Sequence, residues 1–186
     1  MMINAGCTTL AAIAAVPLLC GCSVDVRRDT DGRTTDVAVR SPLGHVMVES
    51  DPDTPPDTGL TVHPGARPSN DRHTSNANVS LDSATFGVTI AAATFEDDEP
   101  PRALVDFYRQ DLARYGAVTE CRGDVQFPKR GNGSGSPFCR PEASESQTQL
   151  VVGSESDHRL AAIRPQGSGS KFALLHIQTD LENAAD

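Results

Sequence analysis

The sequence predicts an α+β fold: a mainly antiparallel sheet with one principal amphipathic helix packed on one face, preceded by a short β meander. Three observations carry that expectation. Short segments that alternate polar and apolar residues, bounded by Gly, Pro and Asp, fill most of the chain. One segment, residues 102–115, switches to the helical period. Strands come in runs before and after that helix instead of alternating with helices, which is the order of an α+β domain.

Taken from the start, residues 1–21 contain no Lys, Arg, Asp or Glu, and residues 10–19 read LAAIAAVPLL. A run of about ten apolar residues is shorter than the ~20 needed to span a bilayer and suits the core of a secretory signal. Leu19-Cys20-Gly21-Cys22 resembles a bacterial lipobox, with a large aliphatic residue at −3 and a small one at −1. That resemblance implies a lipoprotein signal peptide over 1–21 and a mature N-terminus at a lipidated Cys22. In one respect the stretch departs from the pattern, because MMINAGCTTL holds no Lys or Arg. A Cys-x-Cys metal clip lacks nearby ligands: the nearest His is His45, and the next Cys is Cys121.

Cleavage before Cys22 removes Cys7 and Cys20, and leaves Cys121 and Cys139 as the remaining pair. An even pair in an exported protein predicts one disulfide. It closes a loop of about 17 residues, worth roughly 3 kcal/mol by the loop-entropy model.

Residues 22–50 read as a short β meander next to the lipid, with strands at 24–26, 36–39 and 45–49. Residues 51–58, in the run DPDTPPDTG, form a Pro/Asp-rich linker. The α+β domain is expected over 59–182 and a disordered tail over 183–186. The domain opens with Leu60 to His63 and the turn Pro64-Gly65-Ala66, followed by a polar surface loop from Arg67 to Asn78. Residues 79–95, VSLDSATFGVTIAAATF, are β-rich, with Phe86, Val88 and Ile90 placed on one strand face.

Leu104, Phe107, Tyr108, Leu112 and Tyr115 then stand on one helical stripe. Asp97, Asp98 and Glu99 precede it, one of them expected to cap, and Gly116 ends it. Residues 117–121 read as a strand and 122–146 as a long loop. Strands at 149–153, 159–164 and 171–178 follow, joined by ESDH and PQGSGS as hairpin connections.

Val62-His63-Pro64-Gly65-Ala66, the acidic-Pro helix start with Leu104-Val105-Asp106-Phe107-Tyr108-Arg109-Gln110-Asp111-Leu112, and the late Gly-Ser-Gly-Ser-Lys-Phe hairpin together resemble a group of uncharacterised bacterial envelope lipoproteins. The resemblance spans roughly 59–182. It implies the fold and the location, and brings no catalytic residues.

Composition excludes more than it selects. A net charge of −9 with no Lys/Arg cluster argues against nucleic acid binding, and denies the chain an electrostatic contact with anionic lipid. With no Trp, six Phe and two Tyr, an aromatic ligand cage is not expected. Ser156-Asp157-His158 has the residue types of a hydrolase triad, but sequence neighbours in a turn do not converge as nucleophile, base and orienter. The Gly-rich runs 131–136 and 167–171 lack phosphate-loop spacing.

Asp29-Thr30-Asp31-Gly32 aligns with a calcium loop only if Arg27 and Ala38 stand where carboxylates are needed. The Asp residues of DPDTPPD could hold a weak calcium ion. His45, His63, His73, His158 and His176 show no metal-ligand spacing. The resulting expectation is a non-enzymatic, lipid-anchored protein on the periplasmic side of a bacterial envelope, without cofactor, metal or catalytic residues. Its partners are the membrane, through the lipid on Cys22, and an envelope protein. Ser23 after the lipidated Cys favours the outer membrane. The alternatives are an envelope hydrolase with a site assembled by the fold, or a periplasmic small-ligand or metal sensor.

Overall fold

The computed structural model describes residues 23–28, 30, 34–41, 44–51, 54–69, 76–127, 136–140 and 147–180. The expected signal peptide, Cys22, the C-terminal tail, His73 and most of the tempting calcium fragment lie outside these residues.

Along the chain come β1 (Ser23–Arg28), β2 (Thr34–Ser41), β3 (Gly44–Glu49), β4 (Arg67–Pro68), β5 (Ala77–Ser83) and β6 (Gly87–Asp97). The helix α1 (Pro101–Leu112) follows and closes in a single 3-10 turn at Ala113–Tyr115. Then come β7 (Thr119–Arg122), β8 (Asp124–Gln126), β9 (Phe138–Arg140), β10 (Thr148–Gly153), β11 (Asp157–Gln166) and β12 (Gly169–Asp180). One sheet has the order β1-β2-β3-β5-β6-β12-β11-β10-β7, with β4 also pairing to β6, and β8 and β9 form a separate hairpin. Every pairing is antiparallel. An antiparallel sheet with a single α-helix among the described residues is the α+β class that the sequence predicts.

Residues opposite one another in an antiparallel pair share a face. By register, Phe95, Phe172 and Ile163 stand in one row, and Ala93, Leu174, Ala161 and Leu150 in the next. These side chains form one buried cluster with Leu104, Val105, Tyr108 and Leu112 of α1. The rings of Phe95 and Phe172 stack at 5.4 Å, and Tyr108 meets Phe172 at the same distance. The helix lies against β10 and β11.

Tyr115 departs from the predicted stripe. The 3-10 turn changes the phase of the helix, and the ring, 39 % exposed, lies under the Arg159 guanidinium at 4.0 Å. Val105 takes a buried position in its stead. The expected acidic cap is absent: the N-cap is Pro100, with no side-chain hydrogen bond. Pro101 needs no partner for an N–H it lacks, and Asp97 instead accepts from the Glu99 N–H at 2.9 Å. Gly116, at φ 139°, ends the helical segment as expected. Phe86 stands in the β5–β6 turn and not on a strand face, because the Ser83 N–H and hydroxyl both close onto its carbonyl at 2.9 Å.

Residues 60–63, expected as the opening strand, are irregular, and the expected loop 122–146 contains β8 and β9. Cys121 and Cys139 are joined in a disulfide, with Cα atoms 5.2 Å apart. Cys121 is buried at the base of that hairpin.

Candidate functional site

Four places could carry function, and each follows from how local sequence meets register. The first is a strap at residues 59–63, laid along α1 against its direction. Tyr115 Oη and Arg114 donate to the Gly59 carbonyl, and the Thr61 N–H and hydroxyl donate to the Asp111 carboxylate at 2.9 Å each. The His63 N–H donates to Tyr108 Oη at 3.2 Å. Tyr108 and Asp111 stand three residues apart on α1, and Tyr115 stands in the 3-10 turn that follows, so the end of the helical segment holds the whole strap. Burial pushes the Tyr108 phenol well above its ordinary pKa, so it stays protonated and available for hydrogen bonding.

At the end of the strap His63 Nδ1–H donates to Asp97 Oδ2 at 2.8 Å; a carboxylate can only accept, which fixes the tautomer. The two side chains are 16 % and 4 % exposed, and Phe107 meets the imidazole edge-on at 4.8 Å. An imidazole oriented by a buried carboxylate supplies two parts of a hydrolase constellation. The third part, a hydroxyl or thiol bonded to the ring, is missing among the described residues. What the pair does instead is tie the strap to the end of β6 and the start of α1. His63 thereby meets Phe107 and Tyr108 of α1 as structural punctuation.

The second place is the turn at 154–158. Gly153, at φ 112°, admits no side chain there: a Cβ would stand 2.2 Å from the Asp157 carbonyl. Asp157 Oδ1 accepts from His176 Nε2 at 2.9 Å and pairs with Arg159 at 3.5 Å. His158 points to the other face, donating from Nδ1 to the Ser154 carbonyl at 3.0 Å and packing on Phe127 at 4.4 Å. Its burial lowers the imidazole pKa. Ser154 Oγ accepts from the Asp157 N–H at 3.3 Å, and the Ser156 carbonyl accepts from the Thr179 N–H at 2.7 Å. Ser156, Asp157 and His158 therefore diverge, and no triad forms.

The third place is an open concavity of about 820 Å³, lined in part by Ala38, Arg40, His45, Met47 and Asp82. Its one titratable pair, His45 Nε2 to Asp82 Oδ2 at 3.1 Å, is about half exposed on both sides. Such a wet, open setting neither desolvates nor orients a reacting group.

The fourth place emerges only from register. Val26, Val37, Val48, Val79, Ile90 and Ile177 are successive partners across six strands. Two residues further along, Val24, Val39, Val46, Leu81 and Val88 make a parallel row. Together they form an uncharged apolar strip on the face turned away from α1. The intervening residues, among them Asp25, Arg27, Asp36, Arg40, His45, Glu49 and Asp82, give the opposite face of the same strands its charge. Val24 is 62 % and Val26 49 % exposed, and the strip residues of β2, β3, β5 and β6 are half-buried.

At the far end of the same face, Val151 is fully buried where the disulfide-linked β8–β9 hairpin and Phe127 approach β7, β10 and β11. The strip has a signal in the sequence: the tripeptides VDV, VAV, VMV, VSL and VTI, one in each of β1, β2, β3, β5 and β6.

Among the described residues no group of His, Cys, Asp and Glu is arranged to hold a metal ion, and no helix is long and apolar enough to cross a membrane. No family model, curated protein or solved structure matches the chain.

Proposed function

We propose that the protein is a lipid-anchored component of a bacterial cell envelope, held on the periplasmic side through Cys22, and that its folded part is a non-enzymatic binding or structural module. In this reading α1 covers one face of the sheet in a single α+β domain, and the β1–β3 meander stands next to the anchor. The observation that carries the proposal is the Cys121–Cys139 bond, since disulfides persist in oxidising compartments and are rare in the cytosol. It joins the two cysteines that the lipobox-like Leu19–Cys22 leaves over. Ser23 directly after Cys22 favours the outer membrane.

A non-enzymatic role is supported by the side chains themselves. His63–Asp97 is engaged in holding a strap, Asp157 and His158 face apart, and His45–Asp82 is solvated. Fractionation of cells producing the wild type and Cys22→Ser tests the anchor. The wild type is expected in the membrane fraction, released by detergent and not by high salt, with the variant in the soluble fraction. A fully soluble wild type contradicts the proposal.

A further inference from the structure

We propose that the Cys121–Cys139 bond is a reducible clasp, opened by a dithiol that attacks it at Cys139, and that its opening frees the β8–β9 hairpin while the rest of the sheet stays closed. This gives the bridge a role beyond marking an oxidising compartment, and it does not depend on the lipid at Cys22.

The two cysteines differ in access. Cys121 is 1 % exposed at the base of the hairpin, whereas Cys139 and both its neighbours in β9 are exposed. A nucleophile therefore reaches one sulfur of the pair, and exposed bridges are the ones that exchange with thiols. The surroundings favour the anionic thiolate that attacks. Residues 121–140 hold Arg122, Lys129, Arg130 and Arg140 against the single acid Asp124, in a chain whose net charge is −9. Positive neighbours stabilise a thiolate.

In the exchange, one thiolate of the dithiol bonds to Cys139 Sγ, the S–S bond breaks, and its electron pair leaves on Cys121. The second thiol then attacks the mixed disulfide, releases Cys139 and departs with its partner as a disulfide. Two electrons, and two protons once both cysteines are protonated, pass to the protein.

The clasp governs a small, separable unit. β8 and β9 share three residue pairs, Asp124–Arg140, Val125–Cys139 and Gln126–Phe138, and a lone two-stranded hairpin is marginal in water. Besides the bridge, Thr119 Oγ1 donates to the Pro137 carbonyl at 3.4 Å and the Phe127 ring lies 4.4 Å from the His158 imidazole. No residue of β8 or β9 belongs to the buried cluster under α1, so that core does not need the hairpin.

The test is native thiol exchange on the full chain, purified from membranes in detergent. After brief treatment with excess 2-mercaptoethanesulfonate and an acid quench, peptide mass mapping should find the adduct on Cys139. The rate with this anionic thiol, relative to that with cationic cysteamine, should fall severalfold in Arg140→Glu and in high salt. Reduction by dithiothreitol should raise hydrogen exchange in β8, β9 and β10 by about tenfold or more and leave β6 and β12 protected, with reoxidation restoring the first state.

An adduct on Cys121, a bridge that yields only in denaturant, a rate ratio unmoved by Arg140→Glu, or protection lost throughout the sheet overturns the proposal. A chain isolated with both thiols reduced counts against the oxidising compartment; it is then oxidised with diamide and put through the same assay, so the two failures stay distinct.

Discussion

Strands β10, β11 and β12 and the later part of β6 turn Phe95, Leu150, Ile163, Phe172 and Leu174 toward α1, and all five are almost completely buried. Strands β1, β2, β3 and β5 belong to the same sheet yet are apolar on the reverse side, where their valines stay half-exposed. The strands β6 and β12 link these regions and are apolar on both faces, which is why VTIAAATF and FALLHI read as nearly continuous hydrophobic runs. One sheet can thus serve two layers, with the residue parity of each strand choosing the side.

The contrast predicts a large difference in how the two regions tolerate truncation. Phe172→Ala should cost about 3–5 kcal/mol in a denaturant melt. Val37→Ala, on the half-buried strip, should cost roughly 1 kcal/mol or less, because no complete shell of neighbours is lost. Comparable losses would mean that the strip is covered within one chain.

Removing the bridge with Cys121→Ala and Cys139→Ala together should cost about 3 kcal/mol. Because the hairpin lies over the β7–β10 end, the loss should raise hydrogen exchange there before it does in β1–β3. Uniform loss of protection would argue that the two regions open as one.

Asp97→Ala removes the acceptor for both the His63 ring and the Glu99 N–H, and should cost roughly 1–3 kcal/mol. Arg67→Ala, which breaks a solvent-exposed pair with Asp98, should leave the melt unchanged.

The smallest effect concerns pH. Burial depresses the pKa of His158 below its ordinary 6.5, so the unfolded chain takes up a proton that the folded one refuses. This contribution to stability is complete above about pH 6.5 and is lost as pH falls through and below that value. His158→Leu should flatten that part of the stability profile, measured by melts across the range. An unchanged slope would place the titrating group elsewhere.

How much of this was legible in the sequence depends on the range of the interaction. The helix was, because Leu104, Tyr108 and Leu112 repeat at its period and Gly116 punctuates it. The disulfide followed from counting thiols. The acidic cap misled: Asp97 turns back to its own Glu99 N–H and to His63, a partner 34 positions away that no local pattern announces. Phe86 misled because turn hydrogen bonds outweighed alternation. The strap's ties from Thr61 to Asp111 and from His63 to Tyr108 also join distant segments. The strip lay open in five Val-x-aliphatic tripeptides, but only the hairpin registers align them into rows.

The most direct measurement is intact mass of the protein purified from membranes, before and after reduction. The expected mass is that of residues 22–186 plus a diacylglyceryl group and an acyl chain, gaining two hydrogens on reduction as Cys121 and Cys139 part. An unmodified chain beginning at Met1, with thiols already reduced, would contradict both the anchor and the oxidising compartment.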